Sequence, residues 1–354
     1  MIWRNQRIFR HFPAAVLFFL LFFLLFFMTA GGASAFTGEF RLEDGLLTDE
    51  SGRKIELKRP FTRIISLYGA HTENLFALGL DREIIGVTRQ DRAHLPPART
   101  KPGFSYHDDP EKFLAARPDL VLIRPMIDRG YARLMKRLEQ SGITVVSLQP
   151  REIPRMLRYW AALGALTGKE DAAHGMIRRF CRALTAFSAL AARISPKKRV
   201  YFEAMHKQMK TVSKGSMADA VLTAAGGINI ADDAEPSRGT NIAVYGKERI
   251  LARAREIDVF LAQSGAMNRP TRELIMAEPG FSVIRAIRNQ EVYIIDETIV
   301  SRPTMRLLTG IHRIGSLLYP DTGAGERGRI LREADGPDNM ERPPDINNKR
   351  NPSP

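Results

Sequence analysis

Residues 63–88 constrain the fold more than any other stretch of the chain. They read Arg63-Ile-Ile-Ser-Leu-Tyr-Gly-Ala-His-Thr-Glu-Asn-Leu-Phe-Ala-Leu-Gly-Leu-Asp-Arg-Glu-Ile-Ile-Gly-Val-Thr88. Ile64 to Leu67 and Ile84 to Thr88 are short apolar, β-branched runs of the kind that forms buried parallel strands. Between them, Glu73 to Leu80 carries apolar residues at helical spacing, and Gly79 stands where a helix C-terminus favours a left-handed residue. The loop Tyr68 to Thr72 then falls at the carboxyl end of the first strand, the edge at which open α/β sheets bind ligands.

The alternation continues. Asp108-Asp109-Pro110-Glu111 reads as a helix start, because proline and acids are both favoured in a first turn. Glu111 to Ala116 is a short helix, Leu120 to Ile123 a strand, Tyr131 to Gln140 a helix and Thr144 to Leu148 a strand. Ile153 to about Ile194 is nearly continuous helix with a possible break at Thr167-Gly168-Lys169-Glu170. Strands at 200–202, 209–212, 259–262 and 292–295 and helices at 216–225 and 306–318 repeat the α/β pattern. Strand and helix alternating in this way imply parallel sheets covered by helices. Beyond Tyr319-Pro320 the chain is charged, rich in Pro and Gly and without apolar period, and reads as a disordered tail.

The amino terminus has the signature of export. Arg4, Arg7 and Arg10 precede the apolar run Ala14 to Met28, and Ala33-Ser34-Ala35 provides the small residues of a cleavage site, so the mature chain is expected to start near Phe36. The apolar run is about 15 residues long, short of the roughly 20 that a span requires. No cysteine follows it, which gives a lipid anchor no attachment point. Cys181 is the only cysteine, so an intrachain disulfide and a cysteine-paired metal site are both excluded. The net charge of +14 falls to +11 without the three leader arginines. Export and the absence of a recognised binding motif argue against nucleic acid as the partner, which leaves a solvated face or a cationic cleft for an anionic chelate.

The strand, Thr72-Glu73 loop and Ala77-Leu-Gly79 helix resemble the opening of the periplasmic substrate-binding proteins of ABC importers for cobalamin and iron-siderophore complexes, and the likeness runs from about Pro60 to Pro320. The resemblance implies an α/β fold of two Rossmann-like lobes with central sheets, joined by a long rigid helix, the class III arrangement. It divides the chain into a signal peptide (1–35), an N-terminal extension (36–59), a first lobe (60–152), an interlobe helix (153–195), a second lobe (196–320) and the tail (321–354). It also implies a monomer that captures an iron-siderophore, cobalamin or similar metal chelate in the periplasm and delivers it to an ABC permease of the inner membrane. In the family one surface glutamate per lobe meets permease arginines, and the matching motifs here place them at Glu111, in Asp109-Pro-Glu-Lys-Phe-Leu-Ala-Ala-Arg-Pro-Asp119, and Glu248, in Lys247-Glu-Arg-Ile-Leu-Ala-Arg253. Each of these acids also complements a helix dipole.

Candidate ligand contacts near predicted strand ends are Tyr68, His71, Thr72, Arg89, Phe104, Tyr106, His107 and Arg124 in the first lobe, and His206, Arg238, Asn241 and Arg302 in the second. Aromatic rings can cover a macrocycle or catecholate, and arginine can grip a carboxylate in bidentate fashion. Seven histidines are scattered without the spacing of a helix-borne zinc pair, so no resident metal or cofactor is expected. Phe104 stands where some haem-binding relatives carry a tyrosine ligand, which weakens a haem reading, although Tyr106 or His107 could substitute. No nucleophile elbow, dinucleotide fingerprint or Walker A sequence occurs, so no enzyme is expected. The alternatives are an exported haem- or metal-binding receptor or sensor without an importer and, further off, an exported enzyme.

Overall fold

The computed structural model describes residues 39–236, 240–266 and 268–335. The expected signal peptide therefore lies outside the described residues. From Phe40 onward the chain clusters as one unit.

Three short strands, β1 (Arg41–Glu43), β2 (Leu46–Thr48) and β3 (Lys54–Glu56), form an antiparallel meander ahead of the first lobe. The first lobe is a wholly parallel sheet of β4 (Ile64–Ser66), β5 (Ile84–Thr88), β6 (Gly103–Phe104), β7 (Leu120–Ile123) and β8 (Thr144–Ser147), in the order β6-β5-β4-β7-β8. Its central strands are apolar on both faces because helices cover both sides, and β4 and β7 are buried at every position.

The second lobe is built on β9 (Arg199–Met205), β10 (Lys210–Val212), β11 (Ile228–Asn229), β12 (Ile242–Val244), β13 (Val259–Ser264) and β14 (Val292–Asp296). Its order is β12-β10-β9-β13-β14, with β11 beside β9. Strands β11, β9, β13 and β14 run parallel as expected, and only at one edge does β10 run antiparallel to both β9 and β12. The cause is local: only a one-turn helix, His206–Gln208, and Met209 at φ 48 separate β9 from β10. So short a link can only reverse the chain.

The long interlobe helix is two helices. Ile153–Thr167 ends at Gly168, whose φ of 65 supplies the left-handed cap, and Glu170–Ala192 follows. The two fold back on each other, bringing the rings of Trp160 and Phe180 edge to face at 5.3 Å. One apolar cluster runs from Leu75 and Ile84 through Trp160 and Phe180 to Phe202 and Leu308, so the lobes share a continuous core.

The tail also departs from expectation. Ala324–Asp335 is a helix that buries Arg327, Ile330 and Ala334. Buried Arg327 donates to Tyr319 O at 2.7 Å and to Thr322 O, capping the carbonyl end of the helix Leu307–Leu318 with a cation. Residues from 336 on lie outside the described residues.

Candidate functional site

A cavity of about 920 Å³ opens where the carboxyl ends of the first lobe's parallel strands face the second lobe. Successive strands each deliver a residue to its wall: Tyr68 after β4, Arg89 after β5, Tyr106 after β6, Arg124 after β7 and Arg151 after β8. Met205, Lys210, Asn241, Gln263 and Arg302 line it from the second lobe. Among the described residues, six cationic side chains, Arg89, Arg124, Arg129, Arg151, Lys210 and Arg302, line it with two carboxylates, Asp91 and Glu297, while Asp108 and Glu73 behind the wall pair with Arg89 and Arg302. A wall with that balance attracts anions, and low-dielectric surroundings concentrate the field.

The arginines are held by specific partners. The Arg124 guanidinium lies 5.1 Å from the centre of the Tyr68 ring, a cation–π contact. Burial pushes the Tyr68 phenol above its usual range, with Arg124 and Arg302 pulling the other way, so it stays a neutral hydroxyl. Arg302 Nη1 is 3.3 Å from Glu73 Oε1, and Arg306 stands 4.0 Å from the same oxygen. Burial raises the Glu73 carboxyl, while Arg306 and Arg302 oppose the rise. The approach of Arg302 requires glycine at position 69, since a Cβ there would sit 2.8 Å from Arg302 Nη1 and 2.9 Å from Asp91 Oδ1. Beside this pair, Asn74 Nδ2 and Trp160 Nε1 both donate to Pro303 O, at 2.9 and 3.2 Å, pinning the second lobe's 301–305 loop to the first lobe.

Of the ligand contacts expected from sequence, Tyr68, Arg89, Phe104, Tyr106, Arg124, Asn241 and Arg302 line the cavity. Phe104 does so mainly as core, being 4% exposed and packed on Phe113 at 5.1 Å. His71 and Thr72 do not reach it. The helix begins at Gly69 rather than Glu73, which turns both residues inward. His71 Nδ1 pairs with Tyr159 OH at 2.7 Å and Nε2 with Ile123 O at 2.9 Å, and burial pushes its pKa down to about 4, so it is a neutral structural histidine. Thr72 Oγ1 donates to Asp91 at 2.8 Å.

His206 is buried as well, with Nδ1 3.0 Å from Glu203 and Nε2 3.6 Å from Glu278. The bond to Glu203 pushes its pKa up, against burial. Exposed His107 stays outside the cavity wall, its ring tilted against Tyr106 at 4.6 Å and edge to face with Tyr131 at 5.0 Å. Arg238 lies outside the described residues. Among the described residues, no group of three or more His, Cys, Asp or Glu is placed to hold a metal ion.

Sequence reasoning missed Arg129, Arg151 and Gln149, while Lys210 closes the Glu203–Lys210 segment that it placed on the cleft side. Gln149 and Arg151 could have been found by applying the strand-edge rule to the Thr144–Leu148 strand as it was applied to the others. Glu111 and Glu248 are exposed in the first turns of the helices Pro110–Ala116 and Lys247–Ala252, and neither carboxylate forms an ion pair among the described residues.

Comparison with known proteins agrees with this architecture. An uncharacterized ABC transporter substrate-binding lipoprotein of Bacillus subtilis is 24% identical over 280 residues, covering 78% of this chain and 86% of that protein. A vitamin B12-binding protein of Vibrio cholerae is 24% identical over 267 residues, covering 74% and 91%. In structure, a possible iron-binding periplasmic solute-binding protein from Staphylococcus epidermidis superposes with a TM-score of 0.65 at 24% identity, covering 74% of this chain and all of that one. The family model described as periplasmic binding protein matches residues 64–299, two thirds of the chain, and this protein belongs to that family.

Proposed function

We propose that this protein is the solute receptor of an ABC importer, capturing an anionic metal chelate between its lobes and handing it to a membrane permease. The cationic cavity built from both lobes carries the reading, with six positive side chains against two carboxylates and Tyr68 and Tyr106 as aromatic surface. That charge balance favours a ferric siderophore over the corrinoid that the Vibrio relatives are named for. The shared core and the paired bonds to Pro303 O limit lobe opening, so much of the pocket exists before binding and closure is modest. Release then requires the permease to act on both lobes, and Glu111 and Glu248, exposed at two helix starts, are the contacts we assign to it.

The protein works as a monomer in the periplasm, exported by a cleaved signal peptide. Among the described residues no helix is long and apolar enough to cross a membrane. A haem receptor is the second reading, favoured by the Tyr106, His107 and Tyr131 cluster beside the cavity. Trp160, bonded to the loop that carries Arg302, is a built-in reporter. Titrating purified protein with ferric siderophores, haem, cobalamin and free divalent metals should give saturable quenching with one ferric chelate. Binding of haem alone selects the second reading, and no binding across the panel overturns both.

A further inference from the structure

The meander lies before residue 64, where the family match begins, yet it bonds Gln149 of the cavity wall. Strand β8 is the outer strand of its sheet, and its unpaired backbone needs partners. The turn after β2 supplies them. Asp49 Oδ2 accepts from Ser147 N at 2.9 Å, Glu50 N donates to Ser147 O at 3.1 Å, and Glu50 Oε1 accepts from Gln149 N at 2.5 Å. Arg53 fastens the meander from the other side, through paired bonds of 2.6 and 2.7 Å to Asp128 and a further contact to Glu139. Gln149 and Arg151, two residues apart on the segment that Glu50 holds, both line the cavity.

We infer that Glu50 is a positioning residue of the ligand site, fixing the Gln149–Arg151 wall and setting how much of Arg151's positive charge a bound anion meets. The inference rests on the chelate reading of the cavity. Glu50 is half-buried, and burial pushes its pKa up to about 7, against the Gln149 amide, Arg151 and Arg155, with Asp49 adding to the rise. Around neutrality the carboxyl therefore exchanges between a charged form that offsets Arg151 and a neutral form that leaves Arg151 to the ligand. Both forms can still accept the Gln149 N–H, so the wall keeps its shape while its charge changes. The charged groups acting on Glu50 are Asp49 of the meander and Arg151 and Arg155 beyond β8.

Two measurements test this. In ligand-free protein, the Gln149 amide and Arg151 Nε resonances should titrate together with a midpoint near 7, and neither should do so in Glu50→Gln. In wild type, affinity for ferric citrate, an anionic chelate, should be about two- to fivefold higher at pH 6 than at pH 8, the ratio that a pKa rise of about half to one unit on binding gives over that window. E50Q should hold one affinity ratio across that range apart from the chelate's own speciation, which both proteins experience alike. A midpoint in the ordinary carboxylate range, or an unchanged pH profile in E50Q, overturns the role of Glu50. If E50Q does not fold, the wild-type midpoint decides alone. Failure of ferric citrate to bind at either pH counts against the chelate reading and leaves the resonance titration to judge Glu50.

Discussion

The bond pair at Pro303 O makes a quantitative prediction about how the lobes are held. Asn74 and Trp160 donate to the same buried carbonyl, at 2.9 and 3.2 Å, and both donors are essentially inaccessible to water. Asn74→Ala removes two bonds, to Pro303 O and to Tyr159 OH, together worth about 1–2 kcal/mol net, but the carbonyl keeps Trp160 and Tyr159 OH keeps His71. Trp160→Phe removes the other bond and adds a packing loss against Phe180, while the carbonyl keeps Asn74. The double variant alone leaves the carbonyl buried without a donor, which costs a further 1–3 kcal/mol or so. The packing loss is present with and without Asn74 and cancels from the cycle. The coupling energy should therefore be about 1–3 kcal/mol, with the double variant less stable than the sum of the singles. Urea unfolding followed by circular dichroism measures it, provided the m-values agree. A cycle that closes within about 0.5 kcal/mol would refute the shared-acceptor argument and with it the claim that this bond pair restrains the lobes.

Three further tests address other parts of the molecule. Reversing charge with Glu111→Lys and Glu248→Lys together should abolish chelate uptake in cells while leaving affinity within about twofold, because exposed charges govern docking more than a distant cavity; a large loss of affinity would sink the docking assignment. His71, held at about 4 against an ordinary 6.5, lets the unfolded chain bind the proton first as pH falls, so its stability contribution is intact above 6.5 and lost toward 4. Wild type should therefore lose about 3 kcal/mol relative to His71→Gln between pH 7.5 and 4, and a constant gap in urea midpoints would contradict the buried neutral ring. Ile330→Ala, in the helix Ala324–Asp335, should cost about 2–4 kcal/mol, since the side chain is 3% exposed within the main apolar cluster; a change below about 0.5 kcal/mol would return that helix to the status of a loose tail.

What was legible in the sequence were the elements whose identity is set locally. Leu120–Ile123 and Val259–Ala262 are continuous apolar runs, and the helix Ala132–Gln140 carries Leu134, Met135 and Leu138 on one face. Elements stabilised by remote partners were not legible. The helix Ala324–Asp335 has little apolar period and holds through Ile330 and the carbonyls that Arg327 caps, which lie in another helix's terminus. Strands β1 to β3 are three residues each, too short for a pattern, and the meander is fastened to the first lobe through Arg53 on Asp128 and Asp49 on Ser147.

The candidate site divides along the same line. Reasoning from strand ends located the loops correctly, because the carboxyl edge of a parallel sheet is a property of topology. It could not say which residue of each loop faces the ligand, because that depends on where the next helix starts. When the first helix begins at Gly69, position 68 points to the cavity, while positions 71 and 72 fall in its opening turn and turn to the core, so Tyr68 lines the wall and His71 binds Tyr159. The same effect separates Arg124, which lines the cavity, from buried Asp128 in the helix Pro125–Gly130. The cationic character of the cavity comes from six side chains, of which the sequence marks Arg89, Arg124 and Arg302 as ligand contacts but not Arg129, Arg151 and Lys210, in a chain of net charge +14. Only the fold brings them together, and Arg53 of the meander bonds the carboxylates of Asp128 and Glu139 beside them. If Glu50 acts as inferred, part of the charge offered to a ligand at Arg151 is tuned by a segment that precedes the matched family region, because Glu50 both bonds Gln149 N and lies in the field of Arg151.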